Sequence, residues 1–324
     1  MMTRRALLAA AGGFFAGEGR PQGSGAAAPL GQAAPTFTPP PGSCDAHVHV
    51  IGDPHIFPMS PDRDYTPPPA TADDLERMLG RLRLDRVVIV APTVYGADSS
   101  ATVAAIARIG RDRARGVVFV DRTASVEALD AMKEAGVVGL RLFLASPDGR
   151  IDAAQSAERL RWAAGLAAPR SWHLDISTPP DVIAAVANDL VASPVPIVLD
   201  YFGWAQGGVH QRGFDSIIDL LKSGHAYVKL SEPYRLSSDY PEYRDLTPVV
   251  RAYIAANPDR LLWGSGWPHV ASGGNGRSRL ELSPNLPVET ARLLDLLAEW
   301  IPDISIRQKI LVDNPARLYD FAST

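Results

Sequence analysis

From Cys44 onward, short apolar runs alternate with longer amphipathic stretches. The runs are CDAHVHV (44–50), RVVIVAP (86–92), RGVVFVD (115–121), GVVGLRLFL (136–144), SWHLDIS (171–177), PIVLDYFG (196–203), AYVKLSE (226–232) and LLWGSGWPH (261–269). Most are rich in Val, Ile and Leu at consecutive positions, as a strand covered on both faces requires. Helix signals separate them. TADDLERMLGRL starts at Thr71, a capping residue, with acids in its first turn. SVEALDAMKEAG begins at Ser125 and stops at Gly136, PDVIAAVANDLVA opens with Pro180, and DSIIDLLKSG ends in Gly224. Strand then helix, repeated eight times over roughly 280 residues, predicts a distorted (β/α)8 TIM barrel, a single domain over residues 41–324. An open doubly wound sheet would carry a glycine-rich phosphate loop after the first run, where this chain has HVHVIGDPH.

Composition adds little to that picture: 46% apolar, 21% charged and a net charge of -4 are ordinary for a globular domain. No basic excess points to nucleic acid. The single cysteine, Cys44, excludes an intramolecular disulfide and a cysteine zinc cluster, and it sits in an apolar run that would not activate a thiol. The start of the chain is different. MMTRRALLAAAGGFFAG joins Arg4 and Arg5 to an apolar stretch too short to span a bilayer, and a Gly/Ala/Pro-rich segment follows. Residues 1–40 read as a twin-arginine-type export signal plus unstructured linker, which implies a periplasmic or secreted protein with no membrane span.

Active sites of such barrels lie at the C-terminal ends of the strands. Those ends carry His47 and His49, Tyr95, Arg141, His173 and Asp175, Tyr201, Lys229, Glu232 with Arg235 just beyond, and His269. Residues two apart on a strand share a face, so His47 and His49 project together. Two imidazoles are fewer than the three protein groups a catalytic metal uses. Arg141 and Arg235 suit a carboxylate or sulfonate. Tyr201 can donate to a developing oxyanion, and Asp175 or Glu232 can serve as a base if burial tunes it. Lys229 reads as structural unless a carboxylate lies beside it, and Asp200, facing away from Tyr201 by strand alternation, is assigned to the helix layer.

Taken together, DAHVHVIG, FPMSPDRDYTPP, LRLDRVVIVAPTVYGADSS, AGVVGLRLFL, KLSEPYRLS, LLWGSGWPH and ILVDNPARLYDF resemble the amidohydrolase superfamily over about residues 44–321. The resemblance is to its amidohydrolase-related branch, which contains pyrone-dicarboxylate lactonases. It implies hydrolysis of a C–O or C–N bond, often in a lactone bearing carboxylates. It also implies that His47 and His49 act at the site, that Arg141 and Arg235 hold carboxylates, and that Tyr65 covers the substrate. His269 joins the catalytic set, and Tyr95 and His173 the substrate contacts. Three positions depart from the pattern. Tyr201 stands where the sixth strand would end in histidine, Val138 replaces an arginine, and Gly266 replaces the aspartate that would activate water. Neither His269 nor Glu232 stands in line to substitute for that aspartate. These departures argue against a metal or other cofactor. The reading is therefore a metal-independent hydrolase of a small anionic lactone, of unspecified oligomeric state. An isomerase that migrates a lactone ring, and an inactive ligand-binding paralogue, remain open beside it.

Overall fold

Eight parallel strands pair in chain order in a computed structural model that describes residues 33–145, 151–271 and 278–322. They are β1 (Cys44–Val48), β2 (Arg86–Val90), β3 (Ala114–Val118), β4 (Val137–Phe143), β5 (His173–Ser177), β6 (Ile197–Leu199), β7 (Ala226–Ser231) and β8 (Leu261–Gly264). The sheet closes on itself at the β8–β1 seam. Gly266 N–H donates to His47 O and His49 N–H to Trp267 O, each at 2.8 Å. This is the (β/α)8 barrel, with each apolar run forming one strand.

The helices around it form where the caps stand. In α1 (Ala72–Leu82), Thr71 and Asp74 make a reciprocal capping box. Ser125 caps the helix Val126–Glu134 by accepting from Ala128 N–H. The stretch from Pro180 forms two short helices, Pro180–Ala185 and Ala187–Val191, that meet at Val186 rather than one continuous helix. A large apolar core lies between strands and helices, built on residues such as Ile89, Leu174, Val228 and Trp263. A second, smaller core fills the lower barrel interior with Val88, Val117, Val198 and Leu262, closed by Tyr319 and Phe321.

The fold begins earlier than the linker boundary implies. Thr36 donates to Asp295 through both N–H (2.7 Å) and Oγ1–H (2.8 Å), and Phe37 packs against the core under Arg307. The residues from Thr36 to Pro40 are thus docked on the barrel and are not tether. The twin-arginine segment lies outside the described residues. Among the described residues, no helix is long and apolar enough to cross a membrane.

Candidate active site

A one-residue register shift between Asp45 and Val48 shapes the start of the site. Before the shift, Cys44 and Ala46 join the lower apolar core; after it, His47 and His49 face the interior above that core. Such a bulge re-aims side chains without breaking the sheet. Asp45 anchors it by accepting from Ser265 N–H (2.9 Å) across the seam, and burial raises its pKa to about 6.

Above the apolar core the barrel interior is charged. Lys229 is fully buried and contacts Asp175 closely, with Asp200 Oδ1 3.2 Å away. An ammonium withdrawn from water is tolerable only when paired, and two carboxylates pair this one. Asp200 is the hub: it also lies 3.2 Å from His47 Nδ1 and 3.3 Å from Arg141 Nη2. Burial and the Asp200 charge push Asp175 up to about 7. Burial works against Asp200 as well, but Lys229, His47 and Arg141 hold its carboxyl well below the usual range.

Placing Asp200 in the helix layer was therefore wrong. Val198 faces the interior, so Asp200, two residues on, does too. Tyr201 and Phe202 then adopt positive φ (54° and 53°), and the turn brings Tyr201 back over the barrel mouth. Alternation holds through residue 200 and ends there. Lys229 meets the condition set for it, since carboxylates lie beside it.

The histidines are buried and neutral. Burial lowers both pKa values, against a raising effect of Asp200 on His47 and with a further lowering by His47 on His49. His49 Nδ1 lies 2.8 Å from Val90 O, which can only accept, so its proton is on Nδ1 and Nε2 keeps a lone pair. His47 Nδ1 stands between Asp200 Oδ1 (3.2 Å), which favours a proton on it, and Lys229 Nζ (3.3 Å), which favours a lone pair, and its Nε2 lies 3.3 Å from Tyr201 Oη. Arg141 Nη2–H donates to that same Oη at 2.6 Å, and burial keeps the phenol protonated.

Glu232 completes this layer. Its Oε2 accepts from Tyr234 O–H (2.9 Å) and from Arg235 Nε–H. Its Oε1 is buried, accepts no hydrogen bond from the described residues and lies 3.6 Å from His47 Nε2. One ligand atom from each of His47, His49 and Glu232 falls within 4.8 Å of the others. Two neutral imidazoles and a carboxylate are the donor set of His2Glu catalytic zinc sites, and the open Oε1 fits that use. The residues fit a divalent ion. The sequence reading counted two ligands because it discounted Glu232; the fold raises the count to three, and the ligand-count argument against a metal no longer stands.

Above these groups a cavity of about 360 Å³ opens at the C-terminal strand ends. His49, Tyr65, Arg141, Tyr201, Trp204 and Arg235 line it, with Asp181 and Arg212 also on its wall. Arg141 is held by Nη1–H to Ala91 O (3.1 Å), and its buried Nε–H has no partner among the described residues. Arg235 lies over the Tyr201 ring at 5.3 Å.

The ring of strand-end residues thus separates into three groups. Tyr65, His49, Arg141, Tyr201 and Arg235 meet at the cavity. His47, Glu232, Asp175 and Lys229 form the buried layer, where Asp175 touches Lys229 and is not part of the cavity wall. Three residues sit elsewhere. Tyr95 Oη accepts from Gly52 N–H (2.9 Å) and pins the loop after β1. The His173 ring packs against Gly139 and Tyr319 (5.2 Å) toward the barrel floor, where burial pushes its pKa down to about 3. His269 Nε2 meets Thr290 Oγ1 (2.8 Å) and its Nδ1 meets Tyr234 Oη (3.3 Å). None of Tyr95, His173 and His269 lines the cavity, and His269 contacts Tyr234, which donates to Glu232. Sequence reading missed Tyr234, Trp204 and Arg212. Tyr234 was visible beside Glu232, whereas Trp204 and Arg212 lie beyond the β6 turn, where no periodicity indicates direction.

A family profile described as amidohydrolase matches residues 44–321. Among curated proteins, the 4-sulfomuconolactone hydrolase of Rhizobium radiobacter is 34% identical, covering 90% of this chain and 94% of its own. The 2-pyrone-4,6-dicarboxylate hydrolase of Comamonas testosteroni is 32% identical, covering 88% and 92%. The D-galactarolactone isomerase of Agrobacterium fabrum is 26% identical, covering 90% and 95%.

Proposed function

The chain belongs to the amidohydrolase family, and on that premise we propose that it hydrolyses a small lactone bearing a carboxylate or sulfonate. One observation carries the reading: Arg141 and Arg235 share one cavity with His49 and Tyr201, cationic grips beside neutral polar groups. The guanidiniums hold the anionic substituent in place. Tyr201 O–H, polarised by the Arg141 hydrogen bond at 2.6 Å, donates to the carbonyl oxygen as negative charge develops there. Water adds to the carbonyl carbon and its proton passes to a carboxylate. The tetrahedral intermediate then expels the ring oxygen, which takes the proton, so the ring opens to a hydroxy or keto acid. Of the two candidate bases, Glu232 is favoured over Asp175, because it touches Arg235 of the cavity wall and faces His47. A divalent ion held by His47, His49 and Glu232 would supply carbonyl polarisation and a more acidic water in place of the role of Glu232 as base.

The isomerase alternative rested on a missing base for water. Glu232 beside the histidine pair removes that motive, and hydrolysis is the better reading. The test is turnover of a panel of carboxylated and sulfonated lactones in heavy-oxygen water. Ring opening with label in the new carboxylate is the expected result; ring migration without label, or ligand-induced thermal stabilisation with no turnover, would overturn it. We also propose that Arg4 and Arg5 direct export. Fractionation of cells producing the full chain should place it outside the cytoplasm, and an Arg4→Lys/Arg5→Lys variant should stay inside.

A further inference from the structure

Glu232 and Gly266 compete for one space. A Cβ on Gly266 would overlap Glu232 Cγ, and would lie 2.6 Å from its Cδ and 2.8 Å from its Oε1. Glu232 cannot swing aside, because its Oε2 is tied to Tyr234 and Arg235. Nor can Gly266 retreat, since its N–H bonds His47 O (2.8 Å) at the barrel seam. Glu232 also holds φ 52°, a conformation uncommon outside glycine and maintained only when its surroundings enforce it. The carboxylate is pinned asymmetrically: two donors on Oε2, none among the described residues on the buried Oε1 that faces His47. Behind it, Tyr234 donates to Glu232, so Tyr234 Oη must accept from His269 Nδ1–H. His269 Nε2 then accepts from Thr290 Oγ1–H (2.8 Å).

We propose that Glu232 is the working carboxylate of the site, admitted from the end of β7 because residue 266 has no side chain, and that Tyr234, held by His269, is its positioning residue. The proposal deepens the lactone-hydrolase reading and depends on it only where turnover is measured. A carboxylate projecting from position 266 would enter the same volume, so the acid can be moved from one strand end to the other at the expense of backbone strain, since Gly266 holds φ 75°; thermal melting reads that strain separately from Zn(II) binding.

Four proteins test this: wild type, Glu232→Gln, Gly266→Asp, and the double variant Glu232→Gly/Gly266→Asp. Each is stripped with chelator, checked by thermal melting, titrated with Zn(II) alone by calorimetry, and assayed on the lactone that wild type turns over best. Glu232→Gln keeps the side-chain volume, so it reports on the charge and not on folding. It should weaken Zn(II) binding and lower kcat/KM, each by about 100-fold or more. Gly266→Asp, which crowds Glu232, should lose both functions. The double variant should recover at least about tenfold over either single change. Tyr234→Phe should lower kcat about tenfold with KM unchanged; His269→Ala should lower it in the same way, and His269→Asn, which keeps a donor toward Tyr234, should recover part of that loss. If wild type turns over no lactone, the hydrolase reading fails while Zn(II) affinity still decides this one. Wild type binding Zn(II) no better than Glu232→Gln, or a double variant no better than the singles, overturns the proposal.

Discussion

Replacing Lys229 with methionine should strip the charged interior of its central cation. The ammonium lies 3.2 Å from Asp200 Oδ1, and at an effective dielectric of about 20 one such pair is worth roughly 332/(20 × 3.2), or about 5 kcal/mol. Asp175 adds a second pair, and desolvation of the ammonium offsets part of both. Removing one partner of a buried pair costs about 3–5 kcal/mol. Here Lys229→Met leaves Asp175 and Asp200 facing each other, with Asp200 still supported by His47 and Arg141. We expect a loss of about 4 kcal/mol at pH 8 and a fall in Tm of roughly 10 °C. At pH 5 the loss should shrink to about 1–2 kcal/mol, since Asp175, already at about 7 in the native protein, takes up a proton instead of remaining charged. Urea unfolding at both pH values measures this through the midpoint, provided the slope is unchanged. Adding Asp175→Leu to Lys229→Met should restore most of the stability, because an uncompensated charge leaves along with its partner. A loss below about 1 kcal/mol at pH 8, or equal losses at the two pH values, would refute the reasoning.

Three further outcomes follow from the same geometry. Wild-type stability should fall as pH rises from about 4 to 7, at no more than about 1.4 kcal/mol per pH unit per group, because Asp175 (about 7) and Asp45 (about 6) hold protons in the folded state that the unfolded chain has shed; Asp175→Asn should flatten the slope measured by urea titration. Asp200, whose folded pKa is depressed, acts with the opposite sign and weakens the protein only in stronger acid. Arg141→Met should lower kcat/KM on an anionic lactone by about 30-fold or more, and Arg141→Lys should not recover it, because the three N–H groups of one ammonium cannot replace a planar fork that reaches Ala91 O, Asp200 and Tyr201 as well as a substrate anion; steady-state kinetics on both variants decides this. Starting the chain at residue 41 should cost about 1–3 kcal/mol relative to starting at 33, since Asp295 loses both donors from Thr36; comparative melting of the two proteins checks it.

How much of the site was legible in the sequence varies residue by residue. The His47–His49 pair and Arg141 were readable because each stands on a strand or at its very end, where a period of two sets direction. Gly266 was visible as a departure, a glycine where an acid belongs, and Glu232 as a candidate base. Their compensation was hidden, because it depends on how closely two strand ends approach across the closing seam. His173 shows the same limit: its face was right, but its height in the barrel was not, and a residue at the start of β5 meets Tyr319 rather than substrate.

Local sequence decided the strands, the helix caps and which face each strand side chain takes, because these follow from short-range sterics and from burial of apolar runs. Only the closed barrel decided the rest. Closure sets the height of each strand end and the turn beyond it. It put Asp200 inside, swung Tyr201 over the mouth through a left-handed turn, and brought Glu232 into the space that Gly266 leaves open. Pairings between distant residues are properties of three-dimensional distance, and no periodicity along the chain encodes them.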